Sequence, residues 1–200
     1  IRTAPYRRAW YEKYRDQGFI LIGVHTPEFP FEQDVDSIRE HIEKMRIAYP
    51  VAVDSDYAIW TAFANNYWPA LYVADAEGAI RFHRFGEEGY EESERAIQEL
   101  LDVPRTDPVV VATEGAEAPA DWDTLQSPET YLGSERGERF ASPGGAAWEE
   151  PRTYETPSQL ALNRWALLGE WTLGLKAVHM NEAGGSLAYR FRARDVNLVM

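Results

Sequence analysis

The 200-residue chain contains no cysteine. Thiol chemistry needs a thiolate, so the chain as written can carry none, and cysteine usage gives no hint of redox compartment. Positive charge is also scarce. Twenty Lys and Arg face 33 Asp and Glu, a net charge of −13, and arginine is far commoner than lysine. That acidic surface argues against nucleic acid or an anionic membrane face as the main partner. No apolar run approaches the length of a membrane span, and no signal peptide opens the chain, which starts at Ile1 without an initiator methionine. A phosphate-binding glycine loop and a nucleophile elbow are both missing, and His25, His41, His83 and His179 lack zinc-ligand spacing. Asp54-Ser55-Asp56 has neither the glycine nor the distal glutamate of a calcium loop. No metal and no cofactor is expected.

What is there can build a core: 44% of residues are hydrophobic and 13% aromatic. The first half is organised around Tyr67-Trp68-Pro69-Ala70-Leu71-Tyr72-Val73-Ala74-Asp75. A proline cannot donate to a strand ladder, so Pro69 belongs where the strand begins. An aromatic-proline bond also enters the cis form more readily than most, although an ordinary loop proline is the simpler reading of those two residues alone. Upstream, Tyr6, Trp10 and Tyr14 recur four apart and predict a helix from Pro5 to Gln17, closed by Gly18. Phe19 to Val24 is a nearly continuous apolar run, expected in a sheet covered on both faces. Val35, Ile38, Ile42 and Met45 mark an amphipathic covering helix, and Tyr49 to Val53 a short strand. Asp54 to Asp56 offers an N-cap for a helix from Tyr57 to Asn65, with Ile59, Trp60, Phe63 and Tyr67 as its buried face. Downstream come an edge-type strand, Ala79 to Phe85, and a helix, Tyr90 to Leu101, seated by Ala96, Ile97, Leu100 and Leu101.

Helix, strand, helix, then proline, strand, turn, strand and helix is the order of a thioredoxin-like domain. The local text narrows it further: Tyr11-Glu12-Lys13-Tyr14, Gly23-Val24-His25-Thr26-Pro27-Glu28-Phe29 and Tyr49-Pro50-Val51-Ala52. Residues 1 to about 101 resemble the redoxin domain of the DipZ-type, cytochrome c biogenesis-like thiol-disulfide oxidoreductases. The resemblance implies that Pro69 is the cis proline facing a pair of redox cysteines. It also implies a Cys-x-x-Cys pair just ahead of Ile1-Arg2-Thr3-Ala4-Pro5-Tyr6, so the chain is read as a fragment cut after the second cysteine, inactive as it stands. Glu28 is otherwise an ordinary loop carboxylate. In related redoxins an acid in this loop lies near the buried cysteine, where it would raise the thiol pKa by like-charge repulsion and relay its proton. Trp68 and Phe29 would shape the groove in which substrate docks. His25, at the strand end, is read as structural.

From Val103 to Gln126, prolines, glycine and acids dilute a single apolar run and suggest a linker. Past Ser127, glycines, aromatics and short strand-like runs return. Tyr131-Leu132-Gly133, Phe140 to Pro143, Asn163 to Leu167, Gly169-Glu170-Trp171 and Ala188 to Val196 resemble the C-terminal part of the same proteins. There the resemblance implies a carbohydrate-binding β-sandwich, incomplete because the alternating run Leu187 to Met200 is cut short. Trp165 and Trp171 are expected in its core, and Trp148, among Gly144, Gly145, Glu149 and Glu150, as an exposed ring for a sugar face. The expected architecture is thus an α/β thioredoxin-like domain, N-terminally truncated, over 1–102, a linker over 103–126 and a β-sandwich over 127–200. The expected function is extracytoplasmic thiol-disulfide exchange, in disulfide reduction or cytochrome c maturation. Its substrate would be a disulfide-bearing protein, its parent tethered to a membrane electron-transfer domain, and a glycan its second ligand. A non-catalytic thioredoxin-like scaffold with a sugar-binding module is the alternative from another class, and a peroxidase-type redoxin is a third.

Overall fold

Pro5 lacks an N–H and has its φ preset, which suits the first turn of a helix, and α1 spans Ala4–Tyr14. A 3₁₀ turn, Arg15–Gln17, follows, and Gly18 leaves it at φ 89°. The computed structural model describes residues 1–199 and divides into two compact units, Ile1–Pro119 and Ala120–Met200.

In the first unit, β1 (Gly23–His25) pairs in parallel with β2 (Val51–Val53), and α2 (Val35–Lys44) lies between them in the chain. The crossover is what a parallel pair requires. Asp34 starts α2 by accepting the Ser37 N–H at 2.7 Å. After α3 (Ala58–Ala62), β3 (Ala70–Ala74) and β4 (Ile80–Phe85) form an antiparallel hairpin. The last helix, α4, is Tyr90–Leu100. The helix-strand order matches a thioredoxin-like α/β fold. Among the described residues, however, the strands form two separate two-stranded sheets, β1–β2 and β3–β4.

The core of this unit is the aromatic stripe. Trp10 and Tyr14 are buried with Ile97, and Tyr6 stacks on Tyr90 with centroids 3.6 Å apart. Leu71 and Val73, alternate residues of β3, complete it. Three expectations fail here. The run Phe19 to Val24 is not covered on both faces: Leu21 is buried, but Ile20, Ile22 and Val24 are 79%, 58% and 47% exposed. The helix after Asp54 is only five residues long, buries none of them, and leaves Phe63 and Tyr67 exposed. In α4, Leu100 is exposed, and the buried positions beside Ile97 are Ser93, Glu94 and Gln98. The shared reason for the first two is the split sheet, which offers no continuous surface on which those side chains could pack.

The stretch from Val103, expected as linker, is held to the first unit. Val103 and Val109 pack on the aromatic core, and the Val109 N–H donates to Glu94 at 2.7 Å. Further on, Arg8 grips both oxygens of Glu117 at 2.8 and 2.9 Å, and Arg2 donates to the Ala118 carbonyl at 3.1 Å.

The second unit is one antiparallel sheet of four strands, β5 (Pro151–Tyr154), β6 (Arg164–Leu173), β7 (Val178–Met180) and β8 (Ser186–Arg190), all paired to the long β6. Residues 164–168 of β6 pair with β8, and residues 169–172 with β5. Gly169 marks the switch: its φ is +95°, and a Cβ there would stand 3.0 Å from the Cα of Gly185. Strand β8 ends at Arg190, well short of the expected run, whose last residue, Met200, lies outside the described residues. Tyr154, Trp165, Leu167, Trp171 and Leu173 form the core, with Phe140 against Trp165 at 4.6 Å. Trp165 also donates its indole N–H to the Glu138 carbonyl at 2.7 Å. Trp165→Ala should therefore destabilise this unit by about 3–5 kcal/mol, read as a lower denaturant midpoint, because it empties the centre of the core and orphans a carbonyl.

Candidate functional site

The expected site residues of the first unit sit where three elements converge: the loop after β1, the start of α3 and the start of β3. Asp54 ties them. Its carboxylate is buried and accepts from the Thr26 hydroxyl at 2.9 Å and from the Ile59 and Trp60 N–H groups at 2.8 and 2.9 Å. Burial alone would push its pKa up, but the backbone donors and Thr26 outweigh it and hold the group below the ordinary carboxylate value. Asp54 thus stays an anion that fixes the loop to the helix start.

Thr26 then reaches the proline. Its carbonyl accepts the Trp68 indole N–H at 3.1 Å, and the Trp68 ring lies 4.1 Å from that of Trp60. The Trp68–Pro69 bond is cis. The Pro69 carbonyl accepts from Gly86 at 2.8 Å, so Pro69 extends the β3–β4 register by one pair. Trp68 is about half exposed, with its ring anchored by its nitrogen.

Glu28 and Phe29 lie in a loop that Glu32 shapes. One oxygen of Glu32 accepts the N–H groups of Glu28 at 2.6 Å and Phe29 at 2.9 Å. His25 donates from Nε2 to the Glu32 carbonyl at 2.8 Å, a structural role, and the Tyr57 hydroxyl donates to the Pro27 carbonyl. Phe29 stacks on Phe31, with centroids 5.6 Å apart. The structure therefore joins Trp68 and Pro69 to the loop that bears Glu28 and Phe29, through Thr26. Trp148 belongs to the second unit, where the residue is 39% exposed and its backbone bridges to Leu173.

Sequence reasoning took Asp54 only as a helix cap and passed over Glu32, Thr26 and Tyr57. The spacing Phe29-x-x-Glu32 before a proline-led turn is the one local signal that could have marked Glu32 as a capping acid. Among the described residues no group of acids and histidines is placed to hold a metal, and no helix is long and apolar enough to cross a membrane.

An α/β unit with a cis proline opening one strand, beside an acid-bearing loop, is the architecture of a thioredoxin-like protein. Comparison with known proteins agrees and goes further. Residues 127–200 match the family model described as "Thioredoxin like C-terminal domain". Over its full length the chain is 33% identical to Protein DipZ of Mycobacterium bovis, and to that of Mycobacterium tuberculosis, covering 29% of each. It is 36% identical over 90 residues to the thiol-disulfide oxidoreductase YkuV of Bacillus subtilis, which is 45% of this chain and 60% of YkuV. A solved thioredoxin-like protein in its oxidised form shares 33% identity over 50% of this chain and 68% of its own, with a TM-score of 0.47. The chain is thus similar over its whole length to the DipZ proteins, and residues 127–200 match a thioredoxin-like family. It spans less than a third of the length of those relatives.

Proposed function

We propose that the first unit is the substrate-docking and thiol-tuning part of a thiol-disulfide oxidoreductase, with its redox pair supplied by a Cys-x-x-Cys segment joined ahead of α1. The observation that carries this reading is the Trp68 to Thr26 hydrogen bond, which locks the cis proline to the acid-bearing loop. In the reaction, a cysteine thiolate attacks one sulfur of a substrate disulfide and expels the other as a thiolate. The resulting mixed disulfide is then attacked by the second cysteine, releasing reduced substrate and leaving the pair oxidised. Pro69, at the head of β3, presents its backbone to the substrate chain. Trp68 and Phe29 line the groove, and Glu28 raises the pKa of the buried thiol and passes its proton on. The substrate class is a disulfide-bearing protein outside the cytoplasm, cytochrome c precursors included, and a membrane electron-transfer domain of the parent supplies reductant. The second unit acts as a carbohydrate-binding module, with Trp148 as the platform for a sugar ring.

A version carrying Cys-x-x-Cys ahead of Ile1 is expected to reduce a model protein disulfide, while the chain as written shows none of this activity. In that version Glu28→Gln should lower the pKa of the buried thiol, because a like charge is removed. Failure of the restored protein to exchange disulfides, while folded, leaves the non-catalytic scaffold as the better reading. An unchanged thiol titration removes Glu28 alone. Binding of Trp148→Ala to a glycan array, compared with the parent chain, tests the module independently.

A further inference from the structure

The stretch after α4 is fastened by two kinds of force. Its first half is held by the core of the unit. Val103 and Val109 pack on the aromatic cluster, Gln98 donates to the Thr106 carbonyl at 3.2 Å, and the Val109 N–H donates to the buried Glu94. Past Val109 the grip changes. Val110 is 98% exposed, and among the described residues the hydrogen bonds that tie residues 110–118 to the rest of the unit come from two arginines. Arg8, on α1, meets both oxygens of Glu117, and Arg2 reaches the Ala118 carbonyl. Both ends of this grip are prepared. Arg8 also donates to the Met45 carbonyl at 3.0 Å, a bond that holds its guanidinium in place without help from Glu117. Glu117 closes a 3₁₀ turn, Gly115–Glu117, that opens on Gly115 at φ 56°, a conformation side-chain-bearing residues rarely adopt.

We infer that residues 110–118 are a releasable strap: Arg8 and Glu117 latch it to α1, and their separation frees it as far as Val109. The two anchors differ in what breaks them. The Glu94 carboxylate and the apolar contacts of Val109 lie away from bulk water, where salt screens little. The Arg8 and Glu117 side chains are 27% and 26% exposed, and a pair that water reaches contributes little and weakens as salt rises. The strap therefore opens from its Glu117 end while Val109 holds, with the exposed Val110 as the pivot. Closed, only Pro119 stands in the chain between the strap and the second unit, which begins at Ala120. Open, residues 110–118 join that tether and add up to about 30 Å of reach, at ~3.3 Å per extended residue. Whatever the second unit binds is then carried over a wider range, and its effective concentration at the first unit falls. The strap thus sets how often a substrate held through its glycan meets the groove, a last step that rests on the function proposed above.

Because the chain has no cysteine, Glu43→Cys and Glu182→Cys, at exposed positions one on each unit, place two spin labels with no competing thiol. Pulsed dipolar spectroscopy of the 200-residue chain then reads the spread of distances between them. The spread is expected to widen from low to high sodium chloride. Arg8→Ala, and separately Glu117→Ala, should widen it at low salt, and removing both should widen it no further than removing either, since they act as one pair. Cleavage within 110–118 by a broad-specificity protease should quicken about fivefold in each single variant, the upper range for loss of one exposed pair. The Val109 amide should keep its protection from hydrogen exchange throughout. Glu117 lies outside the helices, so Glu117→Ala decides the matter if Arg8→Ala unsettles α1. A spread that neither salt nor Glu117→Ala alters overturns the inference, as do effects of the two substitutions that add. So does loss of Val109 protection along with the strap, because the whole stretch from Val103 would then release as one piece.

Discussion

Replacing Glu94 by alanine is expected to destabilise the first unit by about 3–5 kcal/mol, the range for removing one partner of a buried charged network. Glu94 is fully buried on α4, yet four groups from two other parts of the chain, α1 and the stretch after α4, converge on it. The Trp10 indole donates at 3.2 Å, the Tyr14 hydroxyl at 2.7 Å, Lys13 Nζ at 2.8 Å and the Val109 N–H at 2.7 Å. Deleting the acceptor orphans an indole, a hydroxyl and a backbone amide, each left without its partner in or near the core. The Lys13 pair matters less, because the ammonium is partly in water. Gln98, which donates to the Tyr14 hydroxyl at 2.8 Å and to the Thr106 carbonyl at 3.2 Å, would lose its alignment too. The variant should therefore release residues 106–109 as well as lower the unfolding midpoint, and limited proteolysis within that stretch reads the release. A midpoint within 1 kcal/mol of the parent would show that the network is dispensable.

The same carboxylate sets a pH dependence. Burial pushes its pKa up, but Lys13, Tyr14 and the Val109 amide together outweigh burial and leave it below the ordinary value. A depressed folded pKa means the stabilisation is fully present above the unfolded glutamate pKa, about 4.3, and is lost as pH falls through the folded value. Against the parent chain, Glu94→Ala should thus show its full deficit at neutral pH and a shrinking one in acid. A deficit that grows on acidification contradicts the assignment.

Glu94 also marks the limit of what the sequence discloses. The stripe Tyr6, Trp10 and Tyr14 was legible because its helical period is written along one short stretch, and Trp165 and Trp171 are buried as large aromatics on average are. Among Glu91, Glu92, Glu94 and Glu99 nothing local says which acid is buried. The answer lies in Trp10 and Tyr14, 84 and 80 residues away. Leu100 was misjudged for the same reason, since a polar network occupies the face that periodicity alone would give to leucines. Pro69 was legible from its setting between an aromatic and an apolar run. The link to Thr26 was not, because an indole hydrogen bond across 42 residues leaves no trace in spacing. In the second unit the alternation from Leu187 onward suggested a strand through to the end, but β8 stops where its pairing with β6 stops, at Arg190. Alternation records what a strand could face and says nothing about whether a neighbour is there.

That last point yields the remaining large effect: the first unit should open well before the second. Its strands are two two-stranded ribbons, and such ribbons are marginal in water without further strands or a helix to cover them. Helices α1 and α4 cover one face of β3 through Leu71 and Val73. Among the described residues no comparable cover reaches Ile20, Ile22 and Val24, whose exposure forfeits up to about 1.5–3 kcal/mol each relative to full burial. Set against a total of about 5–15 kcal/mol for an ordinary domain, that deficit is a large fraction of what a fold has. The second unit has no such gap, for β6 is paired along its length and Trp165, Leu167 and Leu173 are completely buried beneath it. Native-state hydrogen exchange should find the amides of β1 and β2 exchanging through a low-energy opening. The amides of β6 should be protected to the full stability of their unit. Heating followed by calorimetry should show a broad early transition and a sharp later one, with Trp165→Ala moving only the later and Glu94→Ala only the earlier. Equal protection of Val24 and Leu167 under those conditions would falsify the idea that the split sheet is the weak point, because a strand held on one edge and bare on one face would then be as secure as the centre of a four-stranded sheet.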